Sequence, residues 1–402
     1  MGVGKQGVVA PYIGGSQILP SGRLRVAMDE EIHLLNIDKS ILLFLLDKIG
    51  KKAVKQMKFE WMDQERKADW VQTTAIGGSW ASGAAASGTL TVDTANAWLF
   101  AAGDIIQIPA IAATTIYVDS VNQGSGVITA RTVKTGTINL SGLASSLPLI
   151  FLLSNSFEDG TGMGTIKSQQ PDELYNYIQI MQTPVGVTTT SMHLDYRGGG
   201  ELDKQRKEAG IDHAFKIEKQ LFFGEKYRLA TGLMDGVYEQ WFTGGLYEAC
   251  SSNVKSSVGA LTRAIWGQWI RDVTRYGQDV VVFAGETIFE ALTTWSEGKL
   301  QVQRSDKAFG MAVGQYLTQY GDLVTVIPHR EVLKEAHAGK AFAVDMADVE
   351  YRYLDGMDTH LEVDIQTPDK KQKIDEFRTW FGLWIGNEKR HGLMTGVTSI
   401  TA

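Results

Sequence analysis

Seven histidines give this chain its most versatile chemistry, since an imidazole can bind metals and transfer protons near neutral pH. They stand at His33, His193, His213, His329, His337, His360 and His391. No two are four residues apart, the spacing that places two metal ligands on one helix face. His213 has Asp212 and Glu218 near it in the sequence, a group typical of a solvated, charged helix face. The histidines therefore predict no metal site.

A single thiol and an acidic cluster are the next candidates. Cys250 is the only cysteine, which excludes an intramolecular disulfide and a cysteine-based zinc site and suits a reducing compartment. Asp345 and Glu350 could supply the carboxylate pair of a glycoside hydrolase, although tight turns between strands explain such residues without a further assumption. A carbohydrate-active enzyme is therefore one alternative. Loss of glycan activity after Asp345→Asn or Glu350→Gln would support it.

Two glycine-rich segments resemble ligand loops only superficially. Residues 160–164 lack the third glycine at the offset of a dinucleotide-binding loop, and no Gly-Lys-Ser/Thr of a phosphate loop follows them, so a flexible loop is the favoured interpretation. The glycines at 198–200 favour a hinge or a close-approach turn. We predict no catalytic, cofactor-binding or metal-binding residue, and no cofactor.

Composition indicates a globular protein of two or three domains. The chain has 402 residues, of which 44% are hydrophobic and 21% charged, with a formal net charge of -7. The sequence has no basic stripe of the kind that grips phosphates. It also has no apolar run long enough to span a bilayer and no signal peptide, so neither secretion nor membrane insertion is expected.

Hydrophobic periodicity defines the elements that position these residues. Residues 1–30 have no apolar period and predict an extended arm, which needs another surface to lie on. Residues 38–49 place leucine and isoleucine at helical spacing, which predicts a core-facing helix that ends at Gly50.

Residues 81–157 differ in character from the rest of the chain. Between 81 and 150 the only charged residues are Asp93, Asp104, Asp119, Arg131 and Lys134. Short alternating apolar runs are separated by glycine-containing turns, which predicts a small all-β module inserted into the chain.

The second half predicts a long helix, an α/β domain and a closing sheet. Residues 201–223 carry charge pairs four apart in a polar first half and an apolar stripe in the second half, and Gly224 ends the helix. The polar half is expected to be solvated or to meet a partner. Residues 255–345 alternate helix and strand, and later period-two runs predict antiparallel strands with one covered face.

The ten tryptophans fall into two groups. Those within periodic elements are expected to serve core and interface packing: Trp266, Trp269, Trp295, Trp380 and Trp384. Three lie between elements, Trp61, Trp70 and Trp80, and are predicted to contact other subunits because aromatic anchors dominate interfaces.

Several segments carry a family resemblance when they are taken in order. They include Lys58-Phe59-Glu60-Trp61, Gly103-Asp104-Ile105-Ile106, Met234-Asp235-Gly236-Val237-Tyr238 and Gly382-Leu383-Trp384-Ile385. Together with the element order, they resemble the major capsid proteins of tailed phages with the Hong Kong 97 type of fold. The likeness is to a subfamily with a β-rich insertion and covers nearly the whole chain from about residue 30.

The resemblance implies an α+β, Hong Kong 97-like capsid fold. Its parts would be an N-terminal arm and first helix (1–57), an extended loop with flanking strands (58–80 and 158–190), an inserted barrel-like β domain (81–157), a peripheral domain (191–254 and 346–402) with a spine helix (201–223), and an axial domain (255–345). Candidate inter-subunit contacts are Phe59, Glu60, Trp61, Trp70, Trp80, Glu201, Lys204 and Arg206.

The implied function is structural rather than enzymatic. Copies of the chain would assemble as hexamers and pentamers into an icosahedral virion head, within the bacterial cytoplasm, with portal, scaffolding and decoration proteins as partners. Packaged double-stranded DNA would be contacted non-specifically, and no membrane is expected. The nearest alternative is a nanocompartment shell of the same fold that encloses protein cargo. The β-rich insertion favours the phage interpretation.

Overall fold

The structure is a computed structural model. It describes residues 42–43, 45–46, 50–77, 87–109, 115–133, 147–194, 200–234, 236–277, 279–296, 314–318, 321 and 323–401. The predicted arm at residues 1–30 and Trp80 lie outside these ranges. The chain divides into two units, one formed by Met1–Phe59 and Tyr175–Ala402 and the other by Glu60–Leu174.

A five-stranded sheet in the first unit is centred on one long strand. Numbering strands in chain order, this is β21 (Gln372–Ile385), which pairs antiparallel with β10 (Gln179–Thr188) on one side. On its other side lie β19 (Val349–Leu354) and β20 (His360–Glu362), and β1 (Lys51–Val54) pairs parallel with β19. Most odd-numbered residues of β21 are buried, which confirms the predicted period of two.

The long helix has the predicted bounds. Of the helices α1–α5, it is α2 (Glu201–Phe223), here called the spine helix, and it packs against β10 and β21. Twenty-three residues give a length of roughly 35 Å. Gly224 closes it with an N–H bond to the Gln220 carbonyl at 2.8 Å, and a Cβ at that position would lie 2.5 Å from the Thr243 carbonyl oxygen. The close approach explains the glycine.

A six-stranded sheet is the second large sheet of the first unit, with α4 (Arg263–Thr274) and α5 (Glu286–Ser296) beside it. Its strand order is β13 (Val254–Lys255), β22 (Gly392–Met394), β18 (Ala341–Asp345), β15 (Val280–Ala284), β17 (Leu323–Pro328) and β16 (Gly314–Leu317).

Both faces of this sheet are covered. Val281 and Phe283 of β15 share a core with Leu221 of the spine helix. Val280 and Val282, on the opposite face, share a second core with the tryptophans of α4. Because side chains on both faces are buried, β15 is apolar along its whole length and shows no alternation.

The end of the chain departs from the predicted domain boundary. Residues 346–402 were assigned to the peripheral domain, yet β22 lies in the six-stranded sheet. In addition, β23 (Val397–Ile400) pairs parallel with β14 (Gly259–Leu261), and both Met394 and Val397 belong to the second core. These short final strands carry no period long enough to assign them to one sheet or the other.

The remaining elements of the first unit are small. They are the two-stranded hairpin β11 (Tyr227–Leu229) and β12 (Gln240–Phe242), the short helices α1 (Thr189–Met192) and α3 (Leu246–Ala249), and the 3-10 turns Glu335–His337, Met346–Asp348 and Glu388–Arg390. Strand β2 (Lys58–Asp63) pairs with β9 (Asp172–Tyr177) where the chain leaves and re-enters the first unit. No helix in the described ranges is long and apolar enough to cross a membrane.

The second unit contains a closed six-stranded barrel, which confirms the predicted all-β insertion. Its strands are, in order around the barrel, β3 (Trp70–Gly77), β4 (Ser87–Val92), β7 (Val127–Thr132), β6 (Thr115–Asn122), β5 (Asp104–Gln107) and β8 (Leu149–Asn155), with a 3-10 turn at Thr94–Leu99. Alternate side chains such as Ile116, Val118 and Ile128 fill the interior.

The barrel begins before the predicted boundary at residue 81. Strand β3 lies within the segment assigned to the extended loop (58–80), but it pairs with both β4 and β8. Only Val71 and Thr73 are fully buried in this strand. Two alternating positions are too few to distinguish a barrel strand from a loop strand in the sequence.

Candidate assembly surfaces

Phe59, a predicted inter-subunit contact, is largely buried by its own chain. Its side chain is 6% exposed. The guanidinium carbon of Arg352 lies 5.1 Å from the Phe59 ring centroid and 5.2 Å from that of Trp384, so the cation stands between two aromatic rings. Phe59 therefore anchors the start of β2 within the first unit.

Glu60, Trp61 and Trp70 keep accessible side chains. Glu60 is exposed and Trp61 is half-buried on β2. Trp70, at the start of β3, is 47% exposed and packs one side of its ring on Phe151, with centroids 4.5 Å apart. An indole with one covered face and one open face is suited to an interface. These three residues stay predicted contacts.

Three predicted contact residues lie at the start of the spine helix, and one of them, Arg206, has a strong partner within the chain. Arg206 donates from Nε and Nη2 to Asp375 Oδ2 at 2.7 and 2.6 Å, and the Asp375 side chain is fully buried. This paired geometry gives Arg206 an internal role in holding the helix on β21. Glu201 and Lys204 are half-buried on the first turns of the same helix and remain predicted contacts.

His213 lies on the buried face of the spine helix, so the predicted solvated, charged face is wrong at this position. Its Nδ1 is 2.9 Å from Thr183 Oγ1 on β10, and its Nε2 is 2.7 Å from Thr379 Oγ1 on β21. Burial, together with a smaller effect of Lys216, lowers the pKa of His213 from 6.5 to about 4. A neutral imidazole therefore joins the helix to two strands, and Asp212 faces solvent.

Glu218 is a second buried residue that the sequence misplaced. Its Oε1 accepts a hydrogen bond from the Leu42 backbone N–H at 2.6 Å and lies 3.0 Å from His329 Nε2. His329 Nδ1 accepts from the Val332 N–H, so Nε2 carries the proton that is donated to Glu218. Glu218 thus connects the first helix, the spine helix and the segment after β17. No local pattern could reveal this, because Leu42 and His329 are 176 and 111 residues away.

The groups considered for chemistry have structural partners. Burial raises the pKa of the Cys250 thiol to about 12, with a smaller effect from Glu388. Asp345 is fully buried and accepts from the Ala347 N–H at 3.1 Å. Glu350 pairs with Arg352. Asp345 thus caps a turn and Glu350 forms an ion pair, so each of the two carboxylates has a separate structural partner. Within the described ranges, no three histidine, cysteine or acidic side chains are placed to hold a metal.

Residues 158–171, here called the strap, contain no helix or strand and are tied to the barrel by a lysine. Lys167 Nζ donates to the Leu99 carbonyl at 2.7 Å and to Asp104 Oδ2 at 2.5 Å. Asp104 Oδ2 also accepts from the Ala101 N–H. The largely buried pair fixes the C-terminal half of the strap.

A phenylalanine fixes the other half of the strap. Gly103 has a φ of +93°, and a Cβ there would lie 2.5 Å from the Phe157 ring; one at Gly164 would lie 2.6 Å from it. Both glycines therefore make room for Phe157. The glycine-rich residues 160–164 thus lie between two fixed points, while Met163 and Ile166 remain 88% and 78% exposed.

Strand β10 is an edge of the five-stranded sheet. In the described part of the chain its ladder partner is β21 alone. The Thr189 N–H bonds toward Lys371, next to β21, while the Ile178 N–H bonds away, to Met57. Backbone groups alternate in direction along an antiparallel strand, so the even-numbered positions of β10 point away from β21. Pro184, which has no N–H, occupies one of them.

Comparison with known proteins gives a match over almost the entire chain. The sequence model of the SU10 major capsid protein family matches residues 17–398. The major capsid protein of Pseudomonas phage PaMx41 is 26% identical over 245 residues, which is 57% of each chain. The match therefore spans little more than half the length of that relative.

Two solved structures illustrate the range of structural similarity. The capsid of cyanophage A-1(L) gives a TM-score of 0.49 at 12% identity, covering 94% of this chain and 99% of that one. The encapsulin complex of Synechococcus elongatus PCC 7942 gives 0.39 at 13% identity, covering 58% of this chain and 79% of that one.

Proposed function

This chain belongs to the SU10 major capsid protein family, and from that premise we propose that it builds the shell of a phage head. Many identical copies assemble as hexamers and pentamers of an icosahedral particle that encloses the genome. One observation carries the proposal: the family match spans residues in both units, rather than a single module that unrelated proteins could share.

Open surfaces of the subunit support this role. Monomeric proteins seldom expose large apolar side chains in groups, yet the strap presents Met163 and Ile166 and the barrel presents Trp70. Within the described ranges β10 pairs with β21 alone, so its outer edge can offer backbone groups to a neighbour. A shell gains from many such contacts at once even where each is modest.

Residues 1–30 are proposed to lie across a neighbouring copy. They follow the pattern of an arm without a core of its own, whereas Leu42 and Leu46 beyond them are fully buried in the first core. Deleting residues 1–30 should lower the yield of particles and leave the subunit folded, as measured by electron microscopy and thermal unfolding. An unchanged yield would contradict the role of the arm.

The proposed partners follow from the same role. Portal, scaffolding and decoration proteins would meet the shell at its surfaces, and assembly would take place in the host bacterial cytoplasm. The formal charge of -7 suits DNA that is confined by a wall rather than gripped through many phosphate contacts.

Sedimentation velocity and negative-stain microscopy of the purified chain, alone and with a scaffold, test the proposal. Hexamers, pentamers or closed shells are expected. A chain that stays monomeric at high concentration under every assembly condition would rule the proposal out. Shells that are recovered with protein cargo instead of DNA would favour the nanocompartment alternative.

A further inference from the structure

We propose that the hairpin β11–β12 inserts its apolar end into a second copy of this chain. The end, here called the tip, consists of Leu233, Met234, Val237 and Tyr238. The inference rests on the proposed function, because it requires a particle made of identical copies.

The tip exposes four large apolar side chains within six residues. Leu233 is 78% exposed, Met234 99%, Val237 70% and Tyr238 74%. Met234 has the highest exposure among the large hydrophobic residues in the described ranges. Single exposed apolar residues are normal, but a group of this kind marks an interaction surface.

Hydrogen bonds hold both ends of the tip. The Gly232 N–H donates to the Tyr238 carbonyl at 2.7 Å, and the Leu233 N–H donates to Gln240 Oε1 at 3.1 Å. Gly236 has a φ of +71°, a conformation that favours glycine. The backbone at Leu233 and at Tyr238 is therefore fixed by the hairpin.

The base of the hairpin is anchored by stacked rings and cations. A hairpin of two strands is marginally stable alone. Here the Arg228 guanidinium lies 4.7 Å from the Trp241 ring centroid and pairs with Glu239 at 2.6 Å. The Trp241 ring in turn lies 5.1 Å from the Tyr177 ring. The base thus resists bending when the tip is pressed against a partner.

The chemistry of the tip favours protein over other partners. Small ligands occupy concave sites, whereas this tip is a projecting turn. Binding to nucleic acid relies on cations that meet phosphates, whereas the sequence from 232 to 239 has no lysine or arginine and includes Asp235 and Glu239. Attraction to an anionic membrane needs excess positive charge, while Arg228 is neutralised by Glu239.

The exposed area is consistent with one contact among several in a ring of copies. Four side chains at these exposures offer on the order of 500 Å², taking large side chains at about 150 Å² or somewhat less each. A standard stable interface buries about 800 Å² per partner. The tip alone is therefore too small to hold two free subunits together, and its contribution depends on the other contacts of a closed assembly.

Thiol protection tests the inference directly. Cys250 is buried, so Met234→Cys places an accessible thiol at the tip. Maleimide should label it in the free subunit and label it at least tenfold more slowly in particles, because a covered thiol is not reached. The matched control is Tyr276→Cys, at a side chain that is 52% exposed and remote from the tip in sequence. Equal labelling of Met234→Cys in subunits and particles would overturn the inference.

A charged tip gives the second test. Met234→Glu with Val237→Glu should lower particle yield by roughly tenfold or more, because each contact would have to desolvate unpaired carboxylates, while Tyr276→Glu should leave the yield unchanged. Normal yield of the folded double variant would refute the tip contact and leave the shell function intact. Flotation of the wild type with phosphatidylglycerol vesicles, lost in the variant while particles form normally, would refute it in favour of a membrane. Failure of the wild type to assemble would instead count against the proposed function.

Discussion

The barrel is a closed sheet without a free edge, whereas the five-stranded sheet is open and ends in an edge strand. Each barrel strand pairs on both sides because the sheet closes on itself. The other sheet ends at β10, whose outward positions include Pro184. Closure completes the hydrogen bonding of the barrel within one copy. On the outer edge of the open sheet, Pro184 has no N–H to donate, which disfavours non-specific pairing with another strand. Neighbouring copies can therefore add more contacts to the open sheet of the first unit than to the barrel.

Polar residues follow the same division. On the barrel, Asp119 pairs with Arg131 at 2.8 Å across neighbouring strands, and Asp104 is the exception to this local pattern because it pairs with Lys167 of the strap. In the first unit, polar side chains connect segments that are far apart in sequence, as Arg206 does with Asp375. Electrostatic changes should therefore affect the first unit more strongly than the barrel.

The largest expected effect on stability is the loss of the Arg206–Asp375 pair, compared with the loss of the Asp119–Arg131 pair. Arg206→Ala leaves the fully buried Asp375 carboxylate without its cation and should lower the free energy of unfolding by about 3 kcal/mol. Arg131→Ala breaks a more exposed pair and should cost less than about 1 kcal/mol. Urea unfolding of both variants provides the measurement. Equal losses would mean that the barrel is no less dependent on its charges.

Acid should destabilise the first unit selectively. The pKa of His213 is lowered from 6.5 to about 4, so between these values the unfolded chain binds a proton that the folded chain does not. The contribution of the neutral His213 to the free energy of unfolding is fully present above pH 6.5 and is lost as the pH falls toward 4. The free energy of unfolding then changes by up to about 1.4 kcal/mol per pH unit for one histidine. His391, whose pKa is also lowered to about 4 by burial, contributes a second slope.

His213→Gln should therefore remove one part of this pH dependence, while His391 and His337, whose pKa values are also lowered by burial, keep theirs. Unfolding free energies measured from pH 7 to pH 4 in both proteins test the expectation. Residues 60–174 contain no histidine, so amide exchange in the barrel serves as an internal control. Parallel curves for the wild type and the variant would show that His213 does not titrate in this range.

The smallest change in stability is expected at the sheet edge. Pro184→Thr adds an outward N–H and a side chain suited to strands, with less than about 1 kcal/mol of effect on unfolding. It should nevertheless increase non-specific association, as measured by light scattering of free subunits. Gln182→Thr is the matched control, since it changes a neighbouring outward position without adding a donor. Identical scattering of the two variants would remove the protective role from Pro184.

Local sequence patterns were sufficient to predict the type and position of elements whose periodicity extends over many residues. The spine helix ends where predicted because Gly224 follows a continuous helical pattern, and β21 shows its alternation over many residues. The insertion was recognisable from its lack of charge and its frequent turns, and it is a closed barrel. Its first strand was missed because the alternation in β3 covers only two buried positions.

Residues whose environment depends on distant segments could not be placed. His213 and Glu218 look like part of a solvated helix face until strands and the first helix, encoded far away, cover them. Phe59 and Arg206 stay predicted subunit contacts, and their contacts within the chain, with Arg352 and Asp375, could not be inferred from the sequence. The exposure of the tip was equally hidden, since an apolar turn in a sequence does not reveal whether anything covers it.

Cryo-electron microscopy of particles assembled from the purified chain tests the central claim most directly. The account predicts closed shells of hexamers and pentamers, with density from a second copy over each Met234 and Tyr238 and an intact barrel in every subunit. A self-contained monomer that forms no particle, with the tip and the edge of β10 open to solvent under all conditions, would contradict it.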